Sequence, residues 1–119
     1  MAIVKSFEDL ECWQEARQLV KLIFLSCEMG KLARDREFAH DLKAVAVTLI
    51  SRIADYNFDE AQGALIRIRN IAYILDDLDY IPIRYVDAIH KKSESVEISI
   101  NDFRRRAENR DKLTDAIEK

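Results

Sequence analysis

Apolar side chains recur at three- and four-residue steps along four successive stretches of this 119-residue chain. Such spacing places the apolar residues on one side of an α-helix, whereas a half-buried strand would alternate at every second residue. Glycine occurs twice and proline once, so few positions interrupt the helical pattern. The pattern therefore predicts an all-α chain of four long helices.

The predicted helices cover about residues 7–29, 35–56, 59–79 and 82–108. Ser6 is placed to cap the first helix, Gly30 to end it in the left-handed conformation, and Pro82 to begin the fourth. Beyond Arg104 the apolar pattern thins, and we expect the tail 109–119 to fray. The whole chain is expected to form a single domain.

Each predicted helix has an apolar stripe that would face a common core. The first two stripes comprise Leu10, Trp13, Ala16, Val20, Ile23, Phe24 and Cys27, and Phe38, Leu42, Val45, Ala46, Leu49, Ile50, Ile53 and Ala54. The last two comprise Ala61, Ala64, Leu65, Ile68, Ile71, Ala72, Leu75 and Leu78, and Ile83, Val86, Ile89, Ser93, Val96, Ile100 and Phe103. Because short connections make successive helices antiparallel neighbours, the sequence predicts an up-down-up-down four-helix bundle.

Composition and charge narrow the class of protein. Hydrophobic residues make up 49% of the chain and charged residues 34%, as in soluble helical proteins. The net charge of −3 disfavours a protein that coats nucleic acid over its whole surface. Met1–Lys5 is too short for a signal peptide, and Cys12 and Cys27 lie too far apart along one helix to pair. We therefore expect a soluble cytoplasmic protein without membrane contact.

Three segments carry a resemblance to a known family. Residues 7–16 read FEDLECWQEA, residues 42–55 read LKAVAVTLISRIAD, and residues 79–81 read DYI. They resemble, in turn, the F-E-D-L-x-V-W-Q-x-A, L-R-R-A-A-V-S-I-P-x-N-I-A-E-G and G-Y-I segments of a family of four-helix bundle proteins. These proteins are encoded in intervening sequences of 23S ribosomal RNA genes. The likeness covers roughly residues 6–107.

The chain also departs from that family's pattern. Ile50 stands where the family has proline, Arg52 where it has asparagine, and Tyr56 where it has glycine, so the chain resembles a divergent member. The resemblance implies a small cytosolic bacterial protein, without a catalytic residue or cofactor, that assembles into a homo-pentameric ring. A relative of that family, the accessory protein of diversity-generating retroelements, engages nucleic acid and a reverse transcriptase through a basic surface. The resemblance thus implies a non-enzymatic scaffold or accessory factor.

One basic block lies near the C-terminal end of the sequence. It comprises Arg104, Arg105, Arg106, Arg110 and Lys112. These five residues outnumber the two acidic residues among them, Glu108 and Asp111, by three. Contact with RNA or DNA phosphates needs positive charge of this kind, although no aromatic residue is interleaved for base stacking. The alternative is a solvated helical turn in which Glu108 and Lys112 pair at four-residue spacing.

Apolar residues also lie outside the core stripes, where a monomeric bundle would carry polar side chains. They form an arc on the first helix and, with two polar neighbours, a face on the third: Leu22, Leu25 and Met29, and Gln62, Ile66, Arg69 and Tyr73. Surplus apolar surface of this kind indicates contacts between subunits. We therefore expect a homo-oligomer, and the family resemblance implies a pentamer.

Carboxylate–histidine pairs at three-residue spacing build di-metal sites in some helical bundles. Glu37 with His40 and Asp87 with His90 have this spacing. The helical period places His40 toward solvent and His90 at the border of the core stripe, so we expect no metal site. A di-metal carboxylate enzyme is kept as an alternative function.

An acidic cluster ends the third predicted helix, where the helix dipole disfavours negative charge. It comprises Asp76, Asp77 and Asp79. Such a cluster is either a solvated helix end or a surface that meets a basic protein. A protein–protein adaptor is therefore the second alternative to a nucleic-acid-associated scaffold.

Overall fold

The computed structural model describes residues 6–118, and over that range it is a bundle of four α-helices without a β-strand. Helix α1 spans Glu11–Ser26, α2 spans Arg36–Ala54, α3 spans Phe58–Asp77 and α4 spans Ile83–Glu118. Helix α1 packs against α2 and α4, and α3 packs against the same two helices. The predicted four-helix bundle is confirmed. The segment Met1–Lys5, which we expect to be too short for a signal peptide, lies outside the described residues.

Each helix contributes buried residues that are spaced alternately three and four apart. These series are Cys12, Ala16, Leu19, Ile23 and Ser26; Ala39, Leu42, Ala46, Leu49 and Ile53; Ala61, Leu65, Ile68, Ala72 and Leu75; and Val86, Ile89, Ser93, Val96 and Ile100. This spacing repeats every seven residues, which keeps one side of each helix turned toward its neighbours. The apolar members form one continuous core along the bundle axis.

Three residues of the predicted core stripes lie at the surface instead. Phe24, Leu78 and Ile83 are 39%, 47% and 56% exposed. On α1 the core is centred near Leu19, which the predicted stripe omitted, and Phe24 lies beyond its edge with the Lys43 ammonium 5.3 Å from its ring centre. Neighbouring arcs of α1 are both apolar, so only the packing of α2 and α4 determines which one is buried.

The first helix begins later than the predicted residue 7. Leu10 has an extended backbone, with φ −70° and ψ 128°, and it separates a 3-10 turn at Phe7–Asp9 from α1. The hydroxyl of Ser6 donates to Oε2 of Glu8 at 2.8 Å and does not cap a backbone amide. The prediction of a cap at Ser6 is therefore wrong. Leu10 itself is buried and anchors the turn on the core.

Helix α4 continues ten residues beyond the predicted end at 108. It is helical to Glu118, where we expected a fraying tail from residue 109, and Lys119 lies outside the described range. Every side chain from 108 to 118 is exposed, which means that this end of α4 extends past the rest of the bundle. Its residues are mostly good helix formers, and Lys112 lies 3.5 Å from Glu108 one turn away. Residues 107–118 are called the projecting segment below.

The α1–α2 and α3–α4 connections meet at the opposite end of the bundle. The backbone amides of Lys31 and Leu32 donate to the carbonyl oxygen of Tyr80 at 2.9 and 3.3 Å. Gly30 has a φ of 53°, so its predicted left-handed conformation is confirmed. A Cβ atom at Gly30 would collide with the same carbonyl oxygen. Glycine is therefore needed both for the backbone conformation and for the close approach of the two connections.

Two other residues with left-handed backbones are not glycines. Tyr56 has a φ of 61° and Asp79 a φ of 52°. Each residue follows the end of a helix whose final turn closes in a Schellman arrangement, in which the amide of Asn57 donates to Arg52 and that of Tyr80 to Leu75. The family that the sequence resembles has glycine at both positions. The chain keeps the helix-ending conformation without the residue that adopts it most easily.

Candidate functional site

The basic block lies where α4 passes the beginning of α3 and enters the projecting segment. Nη1 of Arg104 donates to Oε1 of Gln62 at 2.8 Å, and its Nη2 lies 3.0 Å from Oδ1 of Asp59. Arg105 pairs with Asp102 at 2.8 Å within α4. Both guanidinium groups are exposed and paired with single carboxylates. Surface pairs of this kind contribute little stability, so a phosphate can replace the carboxylate at small cost.

The other three basic residues continue along the same helix. Nε of Arg106 donates to the carbonyl oxygen of Asp102 at 3.3 Å. Lys112 makes the predicted pair with Glu108, which confirms that part of the alternative interpretation. The guanidinium of Arg110 makes no ion pair within residues 6–118. All three side chains are exposed, so the block as a whole is accessible to a large anion.

An aromatic cluster that the sequence analysis missed lies beside the basic block. The rings of Tyr56, Phe58 and Phe103 have centroid separations of 5.2–6.2 Å. Tyr56 is on the exposed side of this cluster, and Phe58, Phe103 and Arg104 line a shared groove. The cluster is invisible in the sequence because α4 brings Phe103 to the α2–α3 connection from a distant part of the chain. An exposed ring next to cationic groups provides the stacking surface that the basic block alone lacks.

Polar contacts tie α3 to α4 in antiparallel register. Gln62 bonds to Asn101 at 2.8 Å, and Arg69 pairs with Glu97 at 2.9 Å. One turn further on, the ring of Tyr73 packs against the ring of His90, and the two ring centroids are 4.4 Å apart. Arg69, one of the predicted interface residues, therefore already has a partner within its own chain.

Apolar side chains flank this row of contacts. Ile66, Tyr73 and Ile98 are 60%, 58% and 54% exposed. The helical period places Ile66 and Tyr73 on the same side of α3, and Ile98 lies one residue beyond Glu97 on α4. Sequence reasoning identified Ile66 and Tyr73 but missed Ile98, since it falls between two residues of the core stripe. We call these three residues the α3–α4 face.

The predicted arc on α1 is only partly a surface. Leu25 is 48% exposed, whereas Leu22 and Met29 are half-buried and pack against the core. Leu22 continues the side of α1 on which Glu15 and Gln18 both accept hydrogen bonds from Lys92 of α4. Leu22 and Met29 therefore contribute to packing within the chain, Leu25 is the exposed residue of the arc, and the subunit contact stays a prediction.

The two histidines lie in different surroundings. His40 is exposed, and His90 is half-buried under Tyr73. Its Nε2 atom is buried and has no hydrogen-bond partner among the described residues. Within residues 6–118 no group of three or more His, Cys, Asp or Glu side chains is arranged to hold a metal ion. The acidic residues Asp76, Asp77 and Asp79 are all exposed at the end of α3.

Both cysteines are buried and unpaired. Burial raises the pKa of the Cys12 and Cys27 thiols, so both remain protonated at neutral pH.

None of the four helices, as far as the chain is described, is long and apolar enough to cross a membrane. Neither a protein-family model nor a curated protein sequence matches this chain.

Proposed function

We propose that this protein is a non-enzymatic scaffold that assembles with copies of itself and holds nucleic acid at the basic end of its bundle. The subunit contact in this proposal is the α3–α4 face. The nucleic-acid contact is the basic block together with the aromatic cluster around Tyr56. Following the family resemblance, we propose a cytoplasmic ring of five bundles.

The proposal of self-assembly is carried by the exposure of Ile66, Tyr73 and Ile98 on one side of the molecule. Burying three large apolar side chains that are more than half exposed would stabilise an assembly by several kcal/mol before the entropy of association is counted. The Arg69–Glu97 pair between them consists of two charges that are already partnered, so burial of this pair isolates neither charge.

The proposal of nucleic-acid contact rests on the joint placement of charge and aromatic surface. Arg104 and Arg105 are held by exposed carboxylates, and Tyr56 presents an accessible ring next to the same groove. Single-stranded nucleic acid is bound by this combination, because phosphates need cations and unstacked bases need a flat apolar partner. In a ring, identical patches would act together and strengthen a contact that is weak in one subunit.

Size-exclusion chromatography with light scattering tests the assembly. We expect a particle of five times the chain mass of 13.9 kDa, and Ile66→Asp is expected to reduce it to the single chain. Val47→Asp is the matched control, since Val47 is similarly apolar and 46% exposed but lies on α2. Loss of assembly in both variants, or in neither, would contradict the proposed face.

Fluorescence anisotropy with single-stranded RNA and DNA at low salt tests the second contact. Replacing Arg104, Arg105 and Arg106 together by Ala is expected to weaken binding about tenfold or more and to reduce the salt dependence. The matched control replaces three exposed basic residues elsewhere, namely Lys21, Arg34 and Arg67. Tyr56→Ser is expected to weaken the binding of single strands more than the binding of duplexes. Equal losses in the two triple variants would leave only a general charge effect and refute the site.

A further inference from the structure

The seven-residue repeat of α4 does not stop where the bundle stops. Beyond Ile100 the same alternation of three- and four-residue steps passes through five further positions: Phe103, Ala107, Arg110, Thr114 and Ile117. Phe103 still packs against the core, whereas nothing in the described chain covers Thr114 or Ile117. The projecting segment therefore carries the side that faces helices in the bundle, but without a helix opposite it.

Two large apolar side chains mark this uncovered side. Leu113 is 62% exposed and Ile117 is 75% exposed, the largest exposure among the large apolar residues of the described chain. About three helical turns project in this way, and every side chain from Glu108 to Glu118 is exposed. A helix end of this kind gains stability when another helix covers its apolar side.

We propose that the projecting segments of two copies of this chain pair with each other in antiparallel orientation. The distribution of charge along this end of α4 favours a second copy of the chain as the partner and an antiparallel orientation of the two helices. The basic block begins three residues before the segment and ends within it, so residues 104–112 carry a net charge of +3, whereas residues 113–118, with Asp115 and Glu118, carry −2. In an antiparallel pair the basic half of one helix lies along the acidic end of the other, whereas a parallel pair would place like charges side by side.

One register preserves the seven-residue repeat in both helices. It places Ala107 opposite the partner's Ile117, and Arg110 opposite the partner's Thr114. The two Leu113 side chains then meet near the two-fold axis of the pair. Arg110, which has no ion pair within residues 6–118, comes within reach of the partner's Asp111. The small Ala107 side chain leaves room for the larger isoleucine across from it.

The pairing side shares Arg110 with the proposed nucleic-acid contact and leaves other residues of that contact uncovered. Arg105 and Lys112 lie on the opposite side of α4 from Ala107, Thr114 and Ile117, and so stay accessible in the pair. Three turns of helix bury less than the ~1,000 Å² of a stable interface, so an isolated pair is expected to be weak and concentration-dependent. Pairing of the projecting segments does not involve the α3–α4 face, because it joins two molecules at their ends.

Disulfide cross-linking between two single-cysteine additions tests the inference. Ala107→Cys and Ile117→Cys are prepared with tags of different mass, mixed, and oxidised mildly. The native cysteines are buried and should not compete. We expect a mixed 107–117 disulfide dimer at least tenfold faster than either homodimer. The matched control mixes Arg105→Cys with Lys112→Cys, whose positions face away from the pair, and should form little of either product.

The cross-linking products distinguish antiparallel pairing from parallel pairing and from non-specific contact. Preferential homodimers of Ala107→Cys would show a parallel pair and overturn the antiparallel inference, and equal rates in the test and control mixtures would overturn specific pairing. The experiment is repeated in the Ile66→Asp background to remove the other proposed contact. Cross-linking that persists there supports pairing whether or not the ring forms. Cross-linking that disappears in that background would refute pairing as an independent contact.

Discussion

The hydroxyl of Tyr80 donates a hydrogen bond of 2.9 Å to Oδ2 of Asp35. The other carboxylate oxygen of Asp35 accepts from the backbone amide of Phe38 at 3.1 Å and so caps α2. The rings of Tyr80 and Phe38 also pack against each other, with their centroids 5.8 Å apart. One side chain from the α3–α4 connection thus holds the residue that starts α2, and this fixes the end of the bundle remote from the projecting segment.

The Tyr80–Asp35 bond predicts a pH dependence of stability. Hydrogen bonding to Asp35, then partial burial, then the charge of Asp35 raise the pKa of Tyr80 above its ordinary value. A raised pKa means that the stabilisation is fully present below about pH 10 and is lost as the pH rises through the folded-state pKa. Titration followed by ultraviolet absorbance should show a late step, an ionisation above the ordinary tyrosine pKa, that belongs to Tyr80. Tyr80→Phe should remove that late step and lower the free energy of unfolding at neutral pH; a late step that survives in this variant would contradict the assignment.

Alanine substitutions at the two glycines are expected to change the free energy of unfolding in opposite directions. Gly30→Ala should destabilise the fold by about 2–4 kcal/mol, since it combines a left-handed backbone with a collision against the Tyr80 carbonyl. Gly63 lies inside α3 with open space around it, so Gly63→Ala should stabilise by about 0.5–1 kcal/mol through helix propensity. Urea denaturation of the two variants measures both. Changes of the same sign would mean that the close contact at Gly30 is misassigned.

The left-handed backbone at Asp79 predicts a stabilising substitution. Asp79→Gly should raise the free energy of unfolding by about 1 kcal/mol, because glycine adopts a φ of 52° without steric cost and the change also removes a negative charge from a helix C-terminus. Asp79→Asn is the control, since it removes the charge but keeps the side chain. Thermal denaturation should therefore rank glycine above asparagine above aspartate, and a glycine variant no more stable than the asparagine variant would argue against strain.

A buried hydroxyl predicts a second stabilising change. Ser93 is fully buried and its Oγ has no hydrogen-bond partner in the described chain, so Ser93→Ala should stabilise by about 1 kcal/mol. Ser26 is equally buried, but its hydroxyl donates to the carbonyl oxygen of Leu22 at 2.8 Å. Ser26→Ala should thus be neutral or destabilising. Equal destabilisation of the two variants in urea would indicate that Ser93 has a partner such as an internal water molecule.

The sequence predicts the number and class of elements well, because a helical period sustained over twenty residues has few alternatives. It predicts less well which arc of a helix is buried. Phe24 and Leu19 are both apolar and lie on adjacent arcs of α1, yet only Leu19 is in the core. That choice depends on where α2 and α4 press against α1, and local spacing carries no information about it. The same reason accounts for Leu22 and Met29, which complete the packing of α1 within the chain.

The candidate site is predicted in part. The basic block is contiguous, so its charge is readable from residues 104–112 alone. Its neighbour Tyr56 is not readable, since the antiparallel packing of distant segments brings Phe58 and Phe103 together around it. The helical conformation of the projecting segment was missed because a thinning apolar pattern resembles a fraying end, whereas local charge pairs and helix propensity are enough to continue α4.

The most direct test of the central claim is the mass of the native protein in solution, measured by light scattering over a wide concentration range. Ile66, Tyr73 and Ile98 together predict an assembly that persists on dilution and dissociates in Ile66→Asp. The predicted mass is five times the 13.9 kDa of the chain. A single-chain mass at every concentration would contradict the proposed self-assembly.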